Sequence, residues 1–213
     1  MPPANNPSIF SYIITRDYGF APNPFPPCCT LATCKPGIRK SAKIGDWIVG
    51  CTSNAQSSIR KHSIIFTMQV SEKMSFNEYW NDPRFKCKKP VMNGSARFKY
   101  GDNIYHFDAA NQEFIQENSH HSLPGGERNI KNYRRDLRAD SVLIAEKYWY
   151  WGASAIRIPP HLSEIECQGR GYKKITDSNL INNLESWLGV QPASGIIGRP
   201  TKFSTEFERY RGE

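Results

Sequence analysis

The sequence has few cysteines, and none of them has the spacing of a structural zinc site. Its 213 residues include six cysteines without a single Cys-x-x-Cys pair: Cys28, Cys29, Cys34, Cys51, Cys87 and Cys167. Structural zinc is usually held by two closely spaced ligand pairs. Six cysteines are also too sparse for a disulfide scaffold, so we expect reduced thiols. We expect no bound metal and no cofactor.

Long apolar runs are absent as well. No window approaches the ~20 apolar residues that a membrane-spanning helix needs. The first residues, MPPANNPSIF, lack the basic and apolar regions of a secretory signal. We therefore expect a cytoplasmic protein without a membrane partner.

Acidic residues are the scarcer charge. There are 28 Lys and Arg against 20 Asp and Glu, which gives a formal net charge of +8. A basic balance favours a polyanionic partner such as nucleic acid or nucleotide phosphate, with plain solubility as the alternative explanation. Hydrophobic residues make up 38% and aromatic residues 12%, enough for a globular core.

The length predicts one main domain. We expect a flexible N-terminal tail over 1–8, a single domain over 9–190 and an irregular C-terminal extension over 191–213. The Pro and Gly residues after 190 favour the last assignment.

Hydrophobic patterns predict four strands, in SIFSYIITRD, DWIVGCTS, HSIIFTMQV and SVLIAE. A short helix is predicted after Ser75, a typical N-cap, and an amphipathic helix in DSNLINNLESWLG. Strands and helices do not alternate as in a parallel sheet. The order predicts an α+β fold, with a small, mainly antiparallel β-barrel, surrounding short helices and a C-terminal helix.

Cys34 is a candidate nucleophile. Lys35, Arg39 and Lys40 follow it closely, and neighbouring cations favour the reactive thiolate. A partner base is available in His106 or His121. Burial as a small apolar side chain is the alternative role for this and the other cysteines.

Basic and aromatic residues also suggest nucleic-acid recognition. Arg128, Lys131, Arg135 and Arg138 share one face if their segment is helical, and Arg134 adds to the cluster. Such a face can follow a phosphate backbone, as can Lys35 and Arg39. The aromatic run that ends at Trp151 can stack on a base. Alternatively, the charges form a solvated surface and the aromatic residues belong to the core.

Two polar stretches, GDNIYH and NSHHS, offer short side chains among turns. These side chains can bind the edges of a ring, or they can cap turns. Asp17 and Asp46 present the same two alternatives. The residues in question are Asp102, Asn103, Tyr105 and His106, together with His120, His121 and Ser122.

Several blocks together resemble a known family. They are TRDYGFAPNPF, CTLATCKPGIRKSAKIGDWIVG, YWNDPRF, GDNIYH, SHHS and YWYWGASAIRIP, in this order between residues 11 and 160. This set resembles the second type of nucleotide-modification-associated domain. The resemblance implies a setting in phage or bacterial systems that alter bases in DNA or handle altered bases, with a possible protein partner from such a system.

A weaker resemblance suggests the fold. AKIGDWIVGCTSN followed by SIIFTMQVSEKMSF is similar to PUA-like domains of the EVE and ASCH type, which are small open barrels that bind RNA or modified bases. Pro26-Pro27 departs from the expected pattern, where glycines are usual. The polar positions that match the family are Asp17, Asn23, Cys34, Lys35, Arg39, Asp46, Arg84, Asp102, Asn103, Tyr105, His106, His121 and Ser122.

The sequence thus predicts a protein that binds a nucleotide or a modified base. We expect the pocket between the Pro-rich loop YGFAPNPFPPCC (18–29), the Cys34–Arg39 segment and the Gly101–His106 turn, with Lys35 and Arg39 on phosphate. Trp151 or Tyr105 would stack on the base. The alternative is an enzyme that acts on a nucleotide or nucleic-acid base, with Cys34 as nucleophile or with Asp102 and His106 as acid–base groups.

Overall fold

A computed structural model of the chain describes residues 6–53, 61–203 and 206–212. The chain forms two compact units, each assembled from separate stretches. Unit 1 comprises Met1–Arg16, Ala42–Ser71 and Ala145–Thr201, and unit 2 comprises Asp17–Ser41, Glu72–Ile144 and Lys202–Glu213. Residues 1–5 of the predicted tail lie outside the described residues. The predicted limits of the main domain and of the C-terminal extension stay predictions.

Unit 1 contains a seven-stranded sheet in the order β11-β1-β3-β4-β9-β12, with β10 also paired to β4. These strands are β1 (Ile9–Ile14), β3 (Trp47–Thr52), β4 (Ser63–Gln69), β9 (Lys147–Tyr150), β10 (Ile156–Arg157), β11 (Lys173–Ile175) and β12 (Gly195–Ile196). The predicted strands SIFSYIITRD, DWIVGCTS and HSIIFTMQV correspond to β1, β3 and β4.

The α+β class is confirmed, but the described part of the sheet does not close into a barrel, and the PUA-like fold is not confirmed. The strands β11 and β12 stand at opposite ends of the pairing order. The sheet is also mixed, because β1 runs parallel to β3 and β12 runs parallel to β9. Parallel neighbours need a long connection, and the chain between β1 and β3 passes through unit 2.

The core of unit 1 joins the sheet to the predicted C-terminal helix, α5 (Ser178–Gly189). Asp177 caps this helix by accepting a hydrogen bond from the Leu180 N–H at 2.7 Å. Leu184 and Leu188 lie on its buried face, in one cluster with Trp47. A 3₁₀ turn over Pro160–Ile165 belongs to the same cluster and completes this core.

Unit 2 combines short strands with four short helices in its described part. The strands are β2 (Cys29–Leu31), β5 (Glu72–Met74) and β8 (Val142–Ala145) in one sheet, and β6 (Tyr105–Asp108) and β7 (Glu113–Gln116) in a second. The helices are α1 (Pro36–Ser41), α2 (Phe76–Asn81), α3 (Ala96–Lys99) and α4 (Ile130–Asp136).

Local sequence explains where the helices of unit 2 begin. Ser75 and Glu78 form a capping box at α2, as the predicted N-cap requires. Asn129 caps α4 by accepting hydrogen bonds from the N–H groups of Lys131 and Asn132. An aromatic core that includes Phe76 and Tyr105 packs beneath these helices. Among the residues described, no helix has the length and apolar character that crossing a membrane requires.

Candidate active site

Cys34 lies in unit 2, in the short link between β2 and α1. Its backbone has a φ of 55°, and the following Lys35 has a φ of 36°. Non-glycine residues rarely adopt this left-handed region, and residues held there are often found at functional sites. Cys34 is partly exposed, whereas the residues before it, Ala32 and Thr33, are buried. The thiol therefore stands at the edge of the unit's interior, on a strained turn.

His121 supplies a base to this thiol. Its Nε2 atom lies 3.6 Å from the Sγ atom of Cys34. The imidazole is almost fully buried, and its ring centroid lies 4.7 Å from that of Phe20 and 5.6 Å from that of Tyr210. These two rings hold the imidazole in place, with Nε2 directed at the sulfur.

Asp136, the last residue of α4, completes a chain of three groups. Its Oδ2 atom lies 2.6 Å from Nδ1 of His121 and accepts a hydrogen bond from the Tyr105 hydroxyl at 3.1 Å. Its Oδ1 atom accepts the backbone N–H of Cys34 at 3.0 Å. The carboxylate thus contacts both the base and the nucleophile's own backbone, and it is fully buried.

The electrostatics of the three groups favour a thiolate beside an imidazolium. Burial raises the pKa of the Cys34 thiol, but the charge and hydrogen bond of His121 outweigh burial, so the pKa lies below its ordinary value. Burial lowers the pKa of His121, yet Asp136 and Cys34 raise it to about 9. Burial raises the pKa of Asp136, but His121, with help from Arg135, lowers it to about 2.

Arg39 fixes the geometry from within. The side chain is fully buried, and its Nε atom donates to the Cys34 carbonyl at 2.8 Å. The other nitrogens donate to the carbonyls of Asp136 at 2.6 Å, Ala139 at 2.6 Å and Ser141 at 2.7 Å. One guanidinium therefore ties the loop that carries the nucleophile to the end of the helix that carries the acid.

Cys34, His121 and Asp136 also have the mutual distances of a metal site, with ligand atoms within 4.8 Å of one another. However, the carboxylate oxygens of Asp136 already accept from Cys34 N–H, from His121 and from Tyr105. A metal would face only the sulfur and one imidazole nitrogen, which is fewer protein ligands than zinc sites use. The arrangement is better suited to a nucleophile, a base and an orienting acid. The absence of a bound metal stays a prediction.

Comparison with known families gives a match that covers nearly the whole chain. The model of nucleotide modification associated domain 2 matches residues 6–207. The chain belongs to this family. The predicted resemblance is therefore confirmed, and it associates the chain with nucleotide modification. Neither the curated proteins nor the solved structures contain a significant match.

In this nucleotide modification associated domain 2 protein, Asp102 lies in a buried polar cluster within unit 2. Its carboxylate accepts from the hydroxyls of Thr30 at 2.6 Å and Tyr79 at 2.9 Å. Thr30 also accepts from the buried Nζ atom of Lys88 at 3.2 Å. Burial raises the pKa of Asp102, although Lys88 lowers it. These contacts tie segments of the unit together.

Asn23 and Asn103 are likewise buried and used in internal contacts. The Nδ2 atom of Asn23 donates to the Tyr100 carbonyl at 3.0 Å, and its Oδ1 atom accepts from Lys88 at 2.8 Å. The Nδ2 atom of Asn103 donates to the carbonyls of Tyr79 and Phe85. Tyr105 is buried too, and its hydroxyl contacts Asp136, so it supports the acid of the candidate site.

His106 and Arg84 have other partners on the surface of unit 2. Nε2 of His106 lies 2.8 Å from Glu117, and its ring stacks on Trp80 with centroids 4.3 Å apart. Side chains alternate along a strand, so His106 points away from the face of β6 that carries Tyr105. Arg84 is exposed and forms ion pairs with Asp82 and Glu72.

Of three further predicted residues in unit 2, Asp17 and Ser122 shape the backbone. The Oδ1 atom of Asp17 accepts from the Gly19 N–H at 3.2 Å. Ser122 donates to the Ser119 carbonyl at 3.1 Å, within the turn that carries His121. Lys35 is partly exposed and directly follows the nucleophile.

The remaining two predicted residues, Asp46 and Trp151, belong to unit 1. The carboxylate of Asp46 accepts from the backbone N–H groups of Ser8 at 2.7 Å and Lys43 at 2.8 Å, so it shapes the turn before β3. Trp151 is buried, with its ring centroid 5.8 Å from that of Trp187. The other members of its aromatic run are buried as well.

Of the predicted residues, the structure therefore brings together Cys34, His121, Arg39 and Tyr105. Asp136 was not among the predicted site residues. It lies in the run NYRRDLRAD, where the surrounding arginines favoured a phosphate-binding face and the single acid had no distinguishing pattern. Helical spacing was one signal that could have found it, because this spacing places Asp136 on the same side of α4 as Asn132, opposite the exposed Arg134.

Proposed function

We propose that this protein is a cysteine-dependent enzyme that acts on an acyl or amide group carried by a nucleotide or a nucleic-acid base. The single observation that carries the proposal is the contact chain from Cys34 through His121 to Asp136. Cysteine nucleophiles of this kind are activated by a neighbouring histidine that a third group orients. Family membership supports the nucleotide part of the proposal.

The chemistry is a two-step acyl transfer. The Cys34 thiolate attacks a carbonyl carbon and forms a C–S bond, while the carbonyl electron pair moves to oxygen. When the carbonyl re-forms, the bond to the leaving group breaks, and the imidazolium of His121 gives that group its proton. Water or an acceptor amine then attacks the thioester, His121 removes its proton, and the thiolate is released.

Asp136 keeps the imidazole in the tautomer and orientation that these steps need. Because Nδ1 is bound to the carboxylate, Nε2 is the atom that exchanges a proton at the sulfur. Asp136 also stabilises the imidazolium by its negative charge. Arg39 and Tyr105 hold Asp136 in place, by hydrogen bonds to its backbone carbonyl and to its carboxylate respectively.

This proposal changes which of the predicted residues line the pocket. Cys34 and the partly exposed Lys35 would stand at its floor, while Asp102 and Asn103, which are buried in other contacts, contribute to folding. A place in a base-modification system of phages or bacteria, with a protein partner from that system, remains part of the proposal.

Hydrolysis of p-nitrophenyl acetate tests the proposal without knowledge of the natural substrate. The expected result is a burst of one nitrophenolate per protein, with an acetyl group on Cys34 detected by peptide mass spectrometry. Cys34→Ala and His121→Gln should each abolish the burst. Cys87→Ser is the matched control, since Cys87 is exposed and distant in sequence from the site. A wild-type protein without a burst, or an equal burst in Cys34→Ala, would refute covalent catalysis.

A further inference from the structure

Helix α4 carries an acid on its buried side and uncompensated positive charge on its exposed side. Asn132 and Asp136 are buried, whereas Lys131, Arg134 and Arg138 are exposed. Lys131 and Arg134 are three residues apart, so they share a face of α4, and Arg138 follows in the turn directly after the helix. The helix that places the candidate acid therefore also presents a basic surface to solvent.

This basic face differs from two other exposed or half-exposed arginines of unit 2, Arg84 and Arg128, which form ion pairs. Arg84 pairs with Glu72 and Asp82, and Arg128 pairs with Glu113 at 2.8 Å. Within the described residues, by contrast, no carboxylate forms an ion pair with Lys131, Arg134 or Arg138. Three cations without an ion pair, on α4 and in the turn after it, repel one another, and a polyanion would relieve that repulsion.

Arg135 extends the positive charge from this face toward the nucleophile. Its Nη2 atom donates to the Asn132 Oδ1 atom at 2.8 Å, and its guanidinium lies over the Tyr210 ring, 5.0 Å from the centroid. The same guanidinium is close enough to the sulfur to help lower the pKa of Cys34. Positive charge thus continues from the exposed face of α4 to the reacting sulfur.

From this placement we infer that the substrate is carried on a nucleic-acid strand, and that Lys131, Arg134 and Arg138 bind its phosphate backbone while one base reaches Cys34. This inference rests on the proposed function. A free nucleotide has its phosphates at one end and engages one part of such a face, whereas a strand has phosphates along the whole face. Since a base within a duplex is inaccessible to a partly buried thiol, the strand is single-stranded or locally opened.

Fluorescence anisotropy with a labelled 20-nucleotide single-stranded DNA tests the inference. We expect binding that weakens steeply with salt. In the variant Lys131→Gln/Arg134→Gln/Arg138→Gln, the negative slope of log K against log salt should become less steep by about 2, because each single-strand phosphate contact contributes about 0.7 to its magnitude. The control Lys86→Gln/Lys99→Gln/Arg170→Gln removes the same charge from other elements and should keep the wild-type slope.

A second readout connects binding with the site. The oligonucleotide should slow the alkylation of Cys34 by iodoacetamide at least tenfold, whereas a mononucleotide at equal phosphate concentration should not. Lack of DNA binding at 20 mM salt, or equal slopes in the two triple variants, would overturn the inference. These results are independent of the p-nitrophenyl acetate burst: a burst without DNA binding leaves the proposed catalysis intact and removes only the strand. DNA binding without a burst leaves the nucleic-acid strand as ligand and removes the proposed catalysis.

Discussion

Asp136 connects the groups of the candidate site through hydrogen bonds to its carboxylate. Its two oxygens accept from the Cys34 N–H, the Tyr105 hydroxyl, Nδ1 of His121 and, at 3.5 Å, Nε of Arg135. All of these groups are donors, and only a carboxylate can accept from every one of them. An amide at this position would turn an N–H toward at least one donor.

We therefore predict that Asp136→Asn leaves the protein folded but lowers the rate of the p-nitrophenyl acetate burst by about a hundredfold or more, since the corresponding change in known triads costs about 10⁴. Asp140→Asn is the matched control, because Asp140 is exposed and, among the residues described, accepts a hydrogen bond from the Phe76 N–H alone. Circular dichroism verifies folding. An Asp136→Asn burst within a factor of three of the wild-type rate would show that the acid does not orient His121.

At this scale the sequence indicates part of the site. Cys34 and His121 could be singled out because a thiol beside cations and a histidine pair are chemically conspicuous. Asp102 and Asn103 were equally conspicuous, but buried polar side chains need hydrogen bonds wherever they lie. Nothing in a single sequence shows whether such a side chain faces a ligand or other segments of its own unit.

At the scale of elements, the C-terminal segment over 206–212 is bound to the segment that carries His121. The Tyr210 N–H donates to the His120 carbonyl at 2.7 Å, and the Asn132 side chain donates to the Tyr210 carbonyl at 2.6 Å. Arg209 donates to the Ser119 carbonyl at 2.7 Å and to Asn118 at 2.8 Å. This segment therefore helps to support the candidate base, although residues 208–212 lie beyond the family match.

We predict that Arg209→Ala lowers the free energy of unfolding by about 1–3 kcal/mol, because the buried Ser119 turn loses a charged donor. Urea unfolding followed by fluorescence measures the change. Hydrogen exchange should also quicken in residues 119–122. Arg211→Ala is the control, since Arg211 is exposed and its substitution should change stability by less than about 0.5 kcal/mol. Equal effects of the two substitutions would contradict a supporting role for the segment.

Elements with strong local signals could be predicted. The capped helices α2 and α5 and the alternating strand β4 follow from residues that are close in sequence. The parallel pairing of β1 with β3 could not be predicted, because it depends on a connection that leaves unit 1 and returns. The expected antiparallel barrel was based on the order of the elements, and the PUA-like resemblance on the single hairpin that forms β3 and β4.

At the scale of the whole molecule, Cys34 and His121 make opposite contributions to the pH dependence of stability. The pKa of His121 rises from 6.5 to about 9 on folding, so its contribution is complete below 6.5 and is lost as pH rises through about 9. The pKa of Cys34 is lowered from 9.0, so its contribution is complete above 9.0 and is lost as pH falls through the folded pKa. The two trends oppose each other from about pH 9 down to the folded pKa of Cys34, or to pH 6.5 if that is higher.

We predict that the wild-type free energy of unfolding depends less on pH between 6.5 and 8.5 than that of Cys34→Ala does. In Cys34→Ala the trend of His121 is no longer opposed, and Asp136 still raises the pKa of His121, so stability should fall as pH rises over that range. Below pH 4, both proteins should lose stability together as Asp136 is protonated, since its pKa falls from 3.8 to about 2 on folding. Urea titrations at half-unit pH steps measure this. Parallel curves for the two proteins above pH 6.5 would contradict a charged thiolate–imidazolium pair.

The overall arrangement of the chain was the part least accessible from sequence. Each unit is built from three separate stretches, and the candidate site unites residues 102 and 87 positions apart in sequence. Contacts between residues so far apart in sequence leave no local pattern. By contrast, the composition and the family's sequence blocks are spread along the chain and can be recognised from the sequence alone.

The rate of Cys34 alkylation by iodoacetamide as a function of pH tests the central claim most directly. The measurement uses a Cys87→Ser background, so that the exposed cysteine does not compete, and quantifies modified Cys34 by peptide mass spectrometry. We predict a pH profile whose midpoint lies below the ordinary thiol pKa of about 8.5, and which moves to higher pH in His121→Gln. Profiles that coincide in the two proteins, at or above the ordinary value, would contradict activation of Cys34 by His121.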